Sequence, residues 1–153
     1  MKAKLDSFDT RILRILTTQG RMTWRDLADE IGLSLTPTLR RVRWLESEGY
    51  ILGYGARLDE ARLGGALEAL VTVTLERQSE EALTLFEQAI GDVGEITDCY
   101  QVTGQDDYVL RVVVSDLTHY QATIMALSRI PMLARINSSF VLKTVMRRST
   151  QVL

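Results

Sequence analysis

The sequence predicts an α+β protein in two parts: an N-terminal winged helix-turn-helix domain and a C-terminal ferredoxin-like βαββαβ domain. Three observations predict it. Residues 23–43, TWRDLADEIGLSLTPTLRRVR, read as two short helices around a glycine turn. From residue 67 the apolar pattern takes up the alternation of strands. The elements then follow as strand, helix, strand, strand, helix, strand, which places both helices on one face of an antiparallel sheet. The expected division is residues 1–50 for the helix-turn-helix, 51–65 for a wing or linker strand and hinge, and 66–153 for the sheet domain.

The first helix is expected over residues 7–19, with Phe8, Ile12, Ile15 and Leu16 at helical spacing and Gly20 closing it. Thr23 caps the second helix with Asp26 three residues on, Leu27, Ala28 and Ile31 form its apolar stripe, and Gly32 ends it. Ser34 or Thr36 caps the third, where Pro37 fits a first turn that does not need its N–H. Leu39, Val42 and Leu45 turn inward, which leaves Arg40, Arg41 and Arg43 to face outward. Trp24 either packs on this core or leans toward a DNA backbone. Residues 50–58 have strand-like side chains broken by glycines and read as a wing or linker strand, and residues 59–65 as the hinge.

In the second part, residues 67–77 alternate with Val71, Val73 and Leu75 on the apolar face. Residues 79–90 form an amphipathic helix with Leu83, Phe86 and Ile90 inward and Glu80 and Glu81 at its positive end. Strands are expected over 96–102 and 108–115, joined by a tight turn at 103–107. A helix capped by Ser115 or Asp116 runs to Ser128, and a last strand covers 136–145 before a polar tail with Arg147 and Arg148. The second face of the sheet needs a cover, for which another copy of the domain is expected.

Charge narrows the partners. Residues 1–60 hold ten Lys/Arg and nine Asp/Glu, net +1, and residues 61–153 hold eight and eleven, net −3. The chain is no polycation, so nucleic-acid contact must come from a local patch doubled in an oligomer. That patch is residues 34–43, with three arginines and no acid. A helix-turn-helix directs the N-terminal residues of its second helix at base edges in the major groove. The candidate DNA contacts are Thr23, Trp24, Ser34, Thr36, Pro37, Thr38, Arg40, Arg41 and Arg43, and the expected partner is double-stranded DNA.

No run of about 18 apolar residues suggests a membrane span. The N-terminus has no apolar secretion segment, and a single cysteine, Cys99, suits a reducing cytoplasm. Enzyme chemistry has little to build on. His119 is the one histidine, Asp106 and Asp107 are neighbours in a turn, and no metal-ligand cluster, phosphate loop or Ser-His-Asp signature stands out. The expectation is a non-enzyme with no catalytic residue, metal or cofactor.

The chain resembles the Lrp/AsnC family of transcription regulators over nearly its full length. The resemblance is carried by Leu5-Asp6, Asp9, Ile12-Leu13, Leu16, Gly20-Arg21, Leu27-Ala28, Ile31-Gly32-Leu33-Ser34, Pro37, Leu39-Arg40-Arg41-Val42, Leu45-Glu46, Gly49, Ile51 and Gly53-Tyr54. In the second half Val102-Thr103-Gly104, Asp107-Tyr108 and Val141-Leu142 carry it. It implies a homodimer, assembling to a tetramer or octamer, and a small effector, an amino acid, held between sheet domains. Residues 103–107 match the family's Gly-x-x-Asp-Tyr turn. The implied effector site is Tyr100, Thr103, Gly104, Gln105, Asp106, Asp107, Tyr108 and Ser138, with glycine-turn N–H groups for a carboxylate and Asp107 for an ammonium. Departures are Leu35 for a common proline, Met132-Leu133 for Gly-Val, Ile136 for threonine, and Ser138 where threonine is common. Two other readings of this two-domain shape are an architectural DNA binder indifferent to small molecules and a decarboxylase of the siroheme type.

Overall fold

The computed structural model describes residues 5–147. Helix α1, Ser7–Leu16, starts at Asp6, whose side chain accepts the Asp9 N–H while the Asp9 carboxylate accepts the Asp6 N–H. It stops short of the expected Gln19 because Thr17 and Thr18 turn their hydroxyls onto the Arg14 and Ile15 carbonyls and compete with the backbone ladder. Helix α2, Trp24–Ile31, is capped by Thr23, and helix α3, Leu35–Ser47, begins after Ser34, which makes no side-chain capping bond. Both α2 and α3 end in the same way. Gly32 and Gly49 take φ of 76° and 74°, and the next residue donates back to the carbonyl five before it, Leu33 to Ala28 and Tyr50 to Leu45. Ile12, Leu27, Ile31, Val42 and Leu45 close a core among the three helices, with Ile51 packed at its side.

The expected strand in the wing does not form. Residues 51–59 carry no regular structure, and Leu52 and Leu58 are 96% and 67% exposed. A strand needs a neighbour for its N–H and C=O groups, and no strand of the described residues pairs there. The expected hinge divides as well. Residues 5–57 with 145–147 form one unit and residues 58–144 the other, so the boundary falls inside residues 51–65, and Val145 leaves the sheet domain. Arg148 and the rest of the expected tail lie outside the described residues.

In the second unit, strands β1 (Leu67–Leu75), β2 (Ile96–Gln101), β3 (Tyr108–Val114) and β4 (Leu133–Phe140) form an antiparallel sheet in the order β2-β3-β1-β4. Helices α4 (Glu80–Gly91) and α5 (Leu117–Leu127) contribute Phe86, Ile90, Tyr120 and Leu127 to one core with Val71, Val73, Leu110 and Val112. This is the expected βαββαβ arrangement. Ser79 and Asp116 cap the two helices. Strand β4 starts three residues before the expected Ile136 and ends before Val141. It follows Met132, which takes a left-handed φ of 69° and whose carbonyl accepts the Glu76 N–H at 2.8 Å. That conformation suits the glycine common there in the family.

Before β1, Gly64 turns the chain at φ 93°, and Gly65 allows a close approach. A Cβ on Gly65 would lie 2.7 Å from Val113 Cγ1 and 3.0 Å from the Glu60 carbonyl. The turn thereby lies against the sheet face opposite the helices, where it brings Glu60 to Arg111.

Candidate functional site

Helix α3 carries the expected basic residues, but its three arginines do different work. Arg40 and Arg43 are exposed. Arg41 turns back to α1, where Nη1 lies 2.7 Å from Asp6 Oδ2 and 2.7 Å from Asp9 Oδ1, and its guanidinium sits 5.3 Å from the centre of the Phe8 ring. Asp9 is buried, so this pairing neutralises a charge the three-helix core would otherwise enclose. The Asp6 carboxyl is held below its ordinary value chiefly by the Asp9 N–H and also by Arg41, and the Arg41 guanidinium is held above its own. Arg41 was expected to face outward; three-helix packing turns it inward.

The hydroxyls also separate. Ser34 and Thr36 are exposed at the start of α3. Thr38 is fully buried and donates to the Ser34 carbonyl at 3.0 Å, so it presents nothing to a DNA surface. Pro37 is half-buried in the first turn. Thr23 is exposed but its hydroxyl donates to Asp26 at 2.6 Å. Trp24 meets the Tyr54 ring edge-on, with centres 6.2 Å apart, and 36% of the residue stays exposed.

On the sheet, alternation and register sort the expected effector residues. Tyr100 stands opposite Val109, which stands opposite Thr72, and this row lies on the face away from the helices. Ser138 stands opposite the buried Val71 and therefore points to the helix side, from the other edge strand. Tyr100 and Ser138 cannot line one pocket within this chain. Tyr108 is also on the helix side, 1% exposed, with its ring 4.7 Å from Phe86 and its hydroxyl donating to Glu87 at 2.8 Å. Burial first, and then the Glu87 carboxylate, push its phenol far above the ordinary range.

Asp107, expected to meet an ammonium, is turned into the domain. It is 7% exposed. Its Oδ2 accepts the Leu75 N–H at 2.7 Å and its Oδ1 accepts Gln78 Nε2 at 2.7 Å. Its carboxylate ties β1 to the loop and is already satisfied, so it is a structural pin. Asp106, beside it, is on the open side. Asp106 Oδ1 accepts from Thr74 Oγ1 at 3.0 Å and from Arg135 Nη2 at 3.2 Å. Thr103, Gly104 and Gln105 are exposed, and Gly104 has a φ of 132° that favours glycine.

The same face holds a residue that sequence reasoning missed. Arg111 bonds Glu60, and also Glu68 at 2.8 Å and Thr97 at 2.7 Å, with Asp98 3.6 Å away and only 12% of its side chain exposed. Its guanidinium is pushed further up, first by Glu68 and then by Glu60. One signal was available: it is the lone charge in the apolar strand YVLRVVV. A separate cavity of about 420 Å³ between α4 and β2 is lined by Glu87, Ile90, Thr97, Cys99, Gln101 and Tyr108. It takes in none of residues 103–107. Among the described residues, no group of three or more His, Cys, Asp and Glu is placed to hold a metal ion.

A helix-turn-helix with a partly basic outer helix, followed by a βαββαβ sheet with an exposed glycine turn, defines a two-part DNA-binding regulator. The chain belongs to the Lrp/AsnC family of transcription regulators. Residues 68–151 match the Lrp/AsnC ligand binding domain, and residues 5–51 match a winged helix-turn-helix DNA-binding family. It is 55% identical to the Bkd operon transcriptional regulator of Pseudomonas aeruginosa over 96% of this chain and 97% of that protein. It is 38% identical to the leucine-responsive regulatory protein of Haemophilus influenzae, over 83% and 77%. A transcriptional regulator from Neisseria meningitidis, solved as a complex with L-Met, superposes with a TM-score of 0.90 at 29% identity, over 95% of each chain.

Proposed function

We propose that this protein controls transcription by binding operator DNA through the exposed face of α3, and that a free amino acid bound at the sheet domains changes that binding. Ser34, Thr36, Arg40 and Arg43 make the contacts, flanked by Thr23, Trp24 and Pro37. The observation that carries the reading is the exposure of Ser34 and Thr36 at the start of the outer helix and of Arg40 and Arg43 further along it, where a helix-turn-helix meets base edges and phosphates. The L-Met bound by the Neisseria meningitidis regulator supports an amino-acid effector. The 55% identical relative supports a bkd operon as the target.

The protein acts as a homodimer that assembles further, to a tetramer or octamer. Support comes from the sheet face away from the helices, where Leu70 and Tyr100 are 43% and 59% exposed. It works as a cytoplasmic regulator rather than as an enzyme. Ser115 and Glu95 do flank His119, at 3.2 and 2.9 Å. The shorter contact of the Ser115 hydroxyl, 2.8 Å, is to the Asp116 carboxylate. A nucleophile whose proton goes to a neighbouring carboxylate, with negative charge where an oxyanion would need donors, is poorly set for acyl transfer. No helix of the described residues is long and apolar enough to cross a membrane.

The test is fluorescence anisotropy of a labelled duplex from the protein's own upstream region, with and without a pool of amino acids. Salt-sensitive binding that shifts with the pool is expected. Binding indifferent to the pool would replace the regulator with an architectural DNA binder, and absence of binding to any genomic fragment would remove the DNA role.

A further inference from the structure

We infer that Asp106 and Arg135 form a clamp for a zwitterion, taking the ammonium and the carboxylate of a free α-amino acid. The inference rests on the amino-acid-responsive reading above and deepens it. Asp107 is buried and both its oxygens are occupied by Leu75 and Gln78, so the ammonium needs another carboxylate. Asp106 supplies it. Its Oδ1 is held by Thr74 and Arg135, and its Oδ2 accepts no hydrogen bond among the described residues.

Arg135 completes the pair. Its Nη2 reaches Asp106 and Thr74, at 3.2 and 3.4 Å, while Nε and Nη1 make no hydrogen bond among the described residues. The two side chains are 52% and 24% exposed. A guanidinium with a free edge accepts a carboxylate in bidentate fashion. The free edges of Asp106 and Arg135 therefore present opposite charges side by side, as an α-amino acid presents its own two charges one carbon apart. An exposed ion pair contributes little to stability, so a ligand rearranges it at small cost. Arg111 shows the contrast: it is wrapped by Glu60, Glu68 and Thr97 and has no such edge to offer.

Thr74 and Arg135 stand opposite each other on the face away from the helices, one row from Asn137, Thr72, Val109 and Tyr100. The clamp requires both α groups of the ligand to be free.

Thermal melting of the full-length protein with each of the twenty L-amino acids identifies the ligand with the largest stabilising shift. Calorimetric titration then compares that amino acid with its N-acetyl derivative and its methyl ester on the wild-type protein. The unmodified amino acid is also titrated into Arg135→Gln, Asp106→Asn and Arg135→Lys. Each blocked derivative, and the Gln and Asn variants, should bind at least about tenfold more weakly, as loss of a charge-assisted pair implies, with Arg135→Lys intermediate. If a derivative binds as tightly as the amino acid, or if Arg135→Gln and Asp106→Asn melt and bind like wild type, the clamp is overturned and the effector reading stands. If no amino acid shifts the melting of the wild-type protein, both fall.

Discussion

The helical unit and the sheet unit each bind an arginine between carboxylates and leave others more exposed. Arg41 joins α3 to the start of α1 through Asp6 and Asp9, and Arg111 joins the turn before β1 to the sheet through Glu60 and Glu68. Arg40 and Arg43 in one unit, and Arg135 in the other, keep donors open. The difference lies in burial. An arginine enclosed with carboxylates cannot be exchanged for a ligand without leaving charges stranded, whereas an exposed one can. Basic residues close together in sequence therefore belong to two classes, which mutation should separate.

Arg111→Ala should have the largest effect. It removes the guanidinium that bonds Glu60 and Glu68 on a partly covered face, and unfolding in urea should show a loss of about 3 kcal/mol. Asp107→Ala comes next, since it leaves the Leu75 N–H without its acceptor; about 2 kcal/mol is expected. Its neighbour Asp106→Ala should change stability by less than about 0.5 kcal/mol, and equal losses for the two would erase the division between pin and open carboxylate. Arg41→Ala should cost about 1–2 kcal/mol through two charge-assisted bonds, with little direct effect on the salt dependence of DNA binding. Arg40→Ala or Arg43→Ala should do the reverse, keeping the urea midpoint while each flattens the slope of log K against log salt by about 0.9. Equal slopes for all three arginines would place Arg41 at the DNA with the other two.

The smallest expected effect is a pH dependence. The Asp6 carboxyl lies below its ordinary value of 3.8 in the folded protein. Its contribution to stability is therefore present above that value and is lost as the pH falls through the lowered one. Urea midpoints measured from pH 5 down to pH 2 should fall less steeply for Asp6→Asn than for wild type.

Local signals were legible wherever one or two residues set the backbone. Thr23 caps its helix, Asp116 rather than Ser115 caps α5, Gly32 ends α2 in the left-handed region, and the period change at Leu67 marks the sheet. Asp6 caps α1 as an acid three residues before another at the start of an apolar stripe, a pattern shared with many exposed acidic pairs. The site residues fared less evenly. Tyr100, Asp106 and the exposed loop residues sit where a ligand can reach them, and Ser34, Thr36, Arg40 and Arg43 where DNA can. Ser138 and Tyr108 lie on the helix side of the sheet, a placement that depends on register. A shift of one residue in pairing sends every side chain to the other side.

The sequence by itself determined the order of elements, the cores that Leu27, Ile31, Val71 and Val73 build, and the family to which the chain belongs. These depend on periodicity, caps and glycines, which act over a few residues. Tertiary structure alone decided that Arg41 faces α1, that Thr38 is buried, that Asp107 is a pin and that Arg111 gathers Glu60 and Glu68. In each case the partner lies on another element, or the burial comes from packing across the fold. Pairing and burial are properties of the closed molecule, and no local pattern encodes them.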